Sequence, residues 1–161
     1  MMGVFKDYIK SFGDKHINIY VDMDGVVTDY DFEGYENDGT NKDIYRYKRP
    51  VISSIEPLRE ISKLENVTLY ILSVSRYESQ IDGKLDWLSK HMDFIDKENI
   101  FILPRDTNDF KKANVLKRDF LQDRLDNDDV NIHIDDSHDV LKLLRDMHKN
   151  IRLLHVTSLI D

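Results

Sequence analysis

Apolar residues along the chain alternate between short unbroken runs and stretches with helical spacing. Val4, Tyr8, Ile9 and Phe12 recur at helical intervals, which predicts an amphipathic helix over the first dozen residues, ending at Gly13. Ile17-Asn18-Ile19-Tyr20-Val21 is mostly β-branched or aromatic and reads as a buried strand. Pro50 opens a second helical pattern, with Ile52, Ile55, Leu58, Ile61 and Leu64 on one face and Asn66 at its end. Val67 to Leu72 reads as a second strand, and Ile81 to Met92 as a helix whose Leu85, Trp87 and Leu88 face a sheet. Ile100 to Leu103 is a third strand. Phe110, Ala113, Val115, Leu116, Phe120, Leu121 and Leu125 then recur on a helix beginning near Asn108-Asp109, a suitable cap. Val130 to Ile134 is a fourth strand, about Asp139 to His148 a helix, and Ile151 to Val156 a fifth strand.

Strands that alternate with helices specify a parallel sheet covered on both faces. The expected fold class is therefore α/β, a three-layer Rossmann-like sandwich with a parallel sheet of about five strands. A chain of 161 residues fits one domain spanning 1–161. Tyr30 to Arg49 breaks the alternation: it is polar and aromatic, with turn formers at Gly34, Asn37, Asp38, Gly39 and Asn41, and reads as a small flap or loop insertion over 30–49, a minimal cap.

Composition removes several function classes. The chain has no cysteine, so thiol chemistry, a disulfide framework and cysteine-ligated zinc are out, and a reducing cytoplasm is the expected location. Met1 to Gly13 carries charges through its apolar stretch, unlike a secretion signal, and no run is long enough to span a bilayer, so no membrane association is expected. A net charge of −8 argues against a broad nucleic-acid-binding surface. It leaves room for a small phosphorylated substrate, because a metal ion and a few local cations can reverse the potential inside one cleft.

The first strand runs directly into Asp22-Met23-Asp24-Gly25. Strand ends on one side of an open α/β sheet are where ligands bind, and two carboxylates so close repel unless a cation sits between them. Asp24-Gly25 could instead be the turn of a β-hairpin pairing Ile17–Met23 with Val26–Phe32. A calcium loop is excluded, since Val26 and Val27 follow the glycine where oxygen donors are needed. Two further strands end in polar groups: Ser73 after the second, Asp135 and Asp136 after the fourth. Lys111 and Lys112 stand at a helix start, and the residues alone do not decide which of the two would face an anion. Arg76 and Arg105 follow strand ends and are candidates for substrate phosphate. Arg46, in Tyr45-Arg46-Tyr47-Lys48-Arg49, is a further candidate, although that run also reads as an exposed strand. His16, His91, His133, His138, His148 and His155 lack paired metal-ligand spacing and are read as structural.

Taken together, these residues resemble the motifs of the haloacid dehalogenase superfamily. Asp22-Met23-Asp24-Gly25-Val26 is similar to its first motif, and Ser73, Lys112 and Asp135-Asp136 follow in the order of the others. The resemblance spans most of the chain. Asp-Met-Asp-Gly-Val with Trp87-Leu88-Ser89-Lys90-His91 is similar to the 5'(3')-deoxyribonucleotidases. Ser75-Arg76 and Arg105 to Lys112 are similar to the phosphatase domain of polynucleotide kinase/phosphatases. The chain lacks the larger helical cap of the first group and the kinase part of the second.

The resemblance implies a phosphatase acting on phosphate monoesters of a nucleotide or a nucleic-acid end. It implies Asp22 as nucleophile forming an aspartyl-phosphate, Asp24 as general acid and base, and Ser73 and Lys112 as ligands of the transferring oxygens. Mg²⁺ would be held by Asp22, Asp135 and the main-chain carbonyl of Asp24, with Asp136 orienting the lysine or a metal-bound water. A phospho-receiver module uses similar groups, but there the acid pair comes first and the lysine last. A catalytically idle binding module is the other rival.

Overall fold

The computed structural model describes residues 3–36, 44–126, 128–147 and 149–160. Its centre is a parallel five-stranded sheet made of β1 (Ile17–Val21), β4 (Val67–Ser75), β5 (Ile100–Pro104), β6 (Val130–Asp135) and β7 (Arg152–His155), in the order β5-β4-β1-β6-β7. Helices α1 (Val4–Lys10), α2 (Ile52–Ile61), α3 (Ile81–His91), α4 (Ala113–Arg124) and α5 (His138–Arg145) cover it. The fold is the α/β three-layer, Rossmann-like sandwich that the alternation predicts. Among the described residues no helix is long and apolar enough to cross a membrane.

Two cores separate the layers, as the two-residue period of a strand requires. Ile17, Ile19 and Val21 of β1 pack with Ile71, Ile132 and Ile134, and with Phe5, Ile9, Ile55, Leu58, Trp87 and Leu88 from α1, α2 and α3. Tyr20 and Leu72 point the other way, onto Leu121 and Leu125 near the end of α4 and Val140 and Leu144 of α5. β1 is buried at every position because it lies between β4 and β6, in register with Ile17 beside both Val67 and Val130. A continuous apolar run is what such a central parallel strand needs.

The hairpin alternative is overturned, since β1 pairs only with parallel partners. The chain after Asp24 instead forms β2 (Thr28–Phe32), which pairs antiparallel with β3 (Lys48–Pro50) as a separate two-stranded sheet. Tyr45–Tyr47 is a 3-10 turn leading into β3, so Tyr45 to Arg49 is a turn and a short strand rather than a strand throughout. Pro50 ends β3 and α2 begins at Ile52. Asn37, Asp38, Gly39 and Asn41 of the expected flap, and His148, lie outside the described residues.

One helix starts later than its apolar spacing suggests. Asp109 and Phe110 have φ of 55° and 51°, left-handed values that a helix cannot contain, so α4 begins at Ala113 with Lys112 as its N-cap. In β4 the strand runs two residues past Ser73, which places that hydroxyl inside the sheet and fully buried.

Candidate active site at the carboxyl edge of the sheet

The main chain delivers Asp22 and Asp24 by a tight loop. The Asp22 N–H donates to Ile134 O at 2.9 Å, extending the β1–β6 pairing by one residue. Met23 O then accepts from the N–H groups of Val27 and Thr28, both at 3.0 Å, and from Thr28 Oγ1 at 3.2 Å. Gly25 sits at φ 77°, and a Cβ there would lie 2.0 Å from Asp136 Oδ2. Only glycine both adopts that backbone and leaves room for the neighbouring acid.

Asp22, Asp135 and Asp136 offer carboxylate oxygens within 4.8 Å of one another, so this group could hold a metal ion. Lys117 of α4 partly balances it, its Nζ lying 2.8 Å from Asp22 Oδ1 and 2.6 Å from Asp135 Oδ2. Asp135 is further bound by His133 Nε2 at 2.9 Å and by the Ser137 N–H at 2.9 Å. Burial pushes Asp22 up to about 7, the Lys117 ammonium opposing the shift and the Asp135 charge adding to it. Burial also acts to raise Asp135, but the His133 hydrogen bond and Lys117 outweigh it and hold that carboxyl well below the usual range. Burial acts against the charge on Lys117, yet Asp22 and Asp135 overcome it and raise its pKa. Asp136 is raised by burial and accepts the Tyr30 hydroxyl at 2.8 Å. That bond and partial burial push Tyr30 up to about 12.

Asp24 has the opposite surroundings. Lys48 Nζ lies 2.7 Å from its Oδ1 and Lys84 Nζ 2.8 Å from its Oδ2, so an ammonium engages each oxygen. Lys84 is 0% exposed and also donates to Ser73 Oγ at 2.9 Å and Val74 O at 3.0 Å. Lys48 arrives on β3, which Trp87 anchors by donating from Nε1 to Lys48 O at 2.8 Å. The Tyr45 ring covers both cations, its centroid 4.4 Å from Lys84 Nζ and 4.9 Å from Lys48 Nζ. Burial alone would raise Asp24, but Lys84 and Lys48 hold it below the usual carboxylate range. Lys84 is lowered by burial, with Asp24 opposing.

The expected site residues therefore divide. Asp22, Asp24, Ser73, Asp135 and Asp136 converge at one rim. Asp136, expected to orient a lysine or water, stands within the carboxylate group itself, while the Asp24 carboxylate is taken up by lysines. Lys111 and Lys112 are exposed, and the ammonium beside Asp22 belongs to Lys117. The late start of α4 leaves Lys112 at its cap, and Lys117, one turn in, runs under the rim. Arg105 braces its own loop, donating from Nε to Lys111 O at 3.0 Å. Arg76 lies over the Tyr77 ring, and Arg46 pairs with Asp86.

Sequence reasoning missed Lys84, Lys117, Lys48 and Tyr30, and took His133 as structural only. A usable signal existed for two of them. Lys84 shares a helical face with the buried Trp87 and Leu88, and Lys117 with Leu121. A lysine on an apolar stripe needs a buried anion. No protein-family model matches the chain, and no curated protein matches it either.

Proposed function

We propose that the chain is a Mg²⁺-dependent phosphatase that hydrolyses phosphate monoesters, of a nucleotide or a nucleic-acid end, through an aspartyl-phosphate on Asp22. The observation that carries this reading is the opposite charge imbalance on the two sides of Asp22. Three carboxylates share one ammonium on one side, and one carboxylate has two ammoniums on the other. A cation suits the first and a tetrahedral anion the second.

The oxygen donors of Asp22, Asp135 and Asp136 are hard ligands of the kind Mg²⁺ takes. When bound, the cation neutralises charge on the transferring phosphoryl group and lowers the pKa of Asp22. Asp22 then attacks phosphorus with a carboxylate oxygen as the ester oxygen departs. Lys84, held from behind by the buried Ser73 hydroxyl, offers a hydrogen bond to the transferring oxygens, and Lys117 orients Asp22 and Asp135. Asp24, ionised while both lysines hold it, takes up a proton from solvent as the arriving anion draws an ammonium away, gives it to the leaving oxygen, and later takes one from the water that hydrolyses the acyl phosphate, leaving free Asp22 and inorganic phosphate. For that proton to pass, one of its two lysine bonds must open, which happens as the arriving anion takes over an ammonium.

The test is p-nitrophenyl phosphate hydrolysis with Mg²⁺, with EDTA, and in Asp22→Asn. Steady turnover that EDTA and the substitution each abolish is expected. Turnover surviving in Asp22→Asn, or no turnover of any monoester by the parent protein, would sink the reading.

A further inference from the structure

Among the buried polar groups, His133 is one to which the phosphatase chemistry gives nothing to do. It lies within β6, 0% exposed, and its register neighbours Tyr20 and Leu153 belong to the core under α4 and α5. An apolar side chain would suit that place better. A buried imidazole gives up its water, and the Nδ1 of His133 has no hydrogen-bond partner among the described residues in return. The bond that the ring does make joins Nε2 to Asp135 Oδ2 at 2.9 Å. Asp135 is held well below the usual carboxylate range, so its oxygen accepts and Nε2 carries the proton.

The consequence falls on Asp135. Each carboxylate oxygen has about two lone pairs to offer to donors or to a cation. Oδ2 uses both, one on His133 Nε2 and one on Lys117 Nζ at 2.6 Å, whereas Oδ1 uses one, on the Ser137 N–H at 2.9 Å. Oδ1 alone keeps an open position, so Asp135 can offer a cation one oxygen and not two. Lys117 by itself would not enforce this, since it leaves half of Oδ2 free.

We propose that His133 is a positioning residue that makes Asp135 a one-oxygen ligand and thereby sets the cation preference of the carboxylate group, Mg²⁺ over Ca²⁺. Mg²⁺ demands near-octahedral geometry with short single-oxygen contacts, while Ca²⁺ takes more oxygens and accepts a carboxylate through both. Masking Oδ2 suits the first cation and denies the second a ligand. This rests on the reading of Asp22, Asp135 and Asp136 as a cation site and adds what tunes it. Because the ring is wholly buried, water cannot stand in for its bond.

The test reads cation binding by the full chain with no substrate present. Melting temperature is followed against Mg²⁺ and against Ca²⁺ concentration for the parent, His133→Leu, His133→Met and His133→Gln. A cation that binds only the folded chain raises the midpoint with a dependence that gives its affinity. Leucine and methionine fill the space without a donor, and with either the Mg²⁺ affinity falls about tenfold, the size usual for a lost partner of a metal ligand. Ca²⁺ affinity stays as it was or rises, so the preference narrows. His133→Gln, whose amide N–H reaches the place of Nε2, restores the preference of the parent.

Equal losses of Mg²⁺ and Ca²⁺ affinity in the apolar variants, or a loss that His133→Gln does not repair, reduce the ring to packing and overturn the proposal. Unchanged Mg²⁺ affinity in His133→Leu overturns it too. If the preference depends on His133 as stated but no monoester is hydrolysed, the phosphatase reading fails and the role of His133 stands. If Mg²⁺-dependent turnover is found while His133→Leu binds both cations like the parent, the reverse holds. A parent chain whose melting responds to neither cation removes the cation site and both readings with it.

Discussion

The surroundings of Asp22 and Asp24, two acids separated by one residue, differ in almost every electrostatic respect. Asp22 lies among carboxylates and is held neutral-leaning by burial, whereas Asp24 lies among ammoniums and is held ionised. The Asp22 side is built from rigid elements, β1, β6 and α4. The Asp24 side borrows Lys48 and Tyr45 from the small β2–β3 sheet and the turn before it. Alternation of side chains along an extended segment would place both carboxylates on one side, yet the loop at Met23 gives each its own partners. One short peptide thus serves as the boundary between a cation-seeking and an anion-seeking half.

The largest effects should come from removing one ammonium from each half. Lys117→Met leaves Asp22 and Asp135 buried without their ammonium, Asp135 keeping only His133 and the Ser137 N–H, a loss of about 3–5 kcal/mol in EDTA. Mg²⁺ should restore much of it, since the cation takes over the compensation. Lys84→Met leaves Asp24 paired with Lys48, so its stability loss is smaller and Mg²⁺ does not repair it. On the proposed phosphatase reading its rate falls about a hundredfold or more through loss of a donor to the transferring oxygens. Thermal melts of both variants with and without Mg²⁺ read this out. Rescue of Lys84→Met by Mg²⁺, and not of Lys117→Met, would reverse the assignment of the two halves.

What the chain reveals before folding follows the same division. The sheet and its order of elements are legible because a central parallel strand must be apolar throughout, and Ile17 to Val21 is. Asp22, Asp24, Ser73, Asp135 and Asp136 are legible because strand ends on a parallel sheet meet at one edge. The ammoniums are not, because a long flexible side chain reaches its partner from the middle of a helix. Lys117 and Lys84 enter the site from faces that read as packing, while Lys112 has the expected helix-start position and is turned to solvent. The left-handed Asp109 and Phe110 could not be anticipated, since nothing in their residue types favours that backbone at Phe110. Lys48 and Tyr30 were hidden because β2 and β3 are too short and irregular to show alternation.

Gly25→Ala should collapse the boundary between the halves. The methyl would have to share space with Asp136 Oδ2 and the Tyr30 hydroxyl, at a φ of 77° that alanine resists. A destabilisation of about 2–3 kcal/mol in denaturant titration is expected. A loss below ~0.5 kcal/mol would mean that Asp136 moves aside freely and is not a fixed member of the carboxylate group.

Next in size is a pH effect confined to the Asp22 half. With a folded pKa of about 7 against about 3.9 in the unfolded chain, Asp22 binds a proton preferentially in the folded state between those values. The Asp22 contribution to metal-free stability therefore rises as pH falls from about 8 to about 6.5, by roughly 1 kcal/mol. His133 is lowered by burial, and His91 less so, so as the unfolded imidazoles take up protons near their ordinary value of about 6.5 they oppose this gain, His133 by about 0.4 kcal/mol at the lower pH. Melts in EDTA at the two pH values should show the parent chain gaining stability relative to Asp22→Asn as pH falls, the histidine contribution being common to both. Saturating Mg²⁺ should cancel it, because the cation binds the ionised form. A slope that persists in Asp22→Asn would assign the proton to another group.

The smallest effect tests whether the flap tunes the cation-seeking half at all. Tyr30 is 64% exposed, and its hydroxyl donates to Asp136 Oδ2. With a pKa pushed up to about 12 it remains a donor across the working range, so it fixes the orientation of that carboxylate without changing its charge. Partners that orient metal ligands are commonly worth about 10–100-fold in metal affinity. Here water can replace much of the lost bond, because Tyr30 is open to solvent and Asp136 only partly buried. Tyr30→Phe should therefore raise the Mg²⁺ concentration for half-maximal turnover only about threefold, with kcat at saturating Mg²⁺ unchanged. A shift in kcat with no change in Mg²⁺ dependence would move Tyr30 from the carboxylate half to the Asp24 half, where Lys48 lies 5.5 Å from its ring.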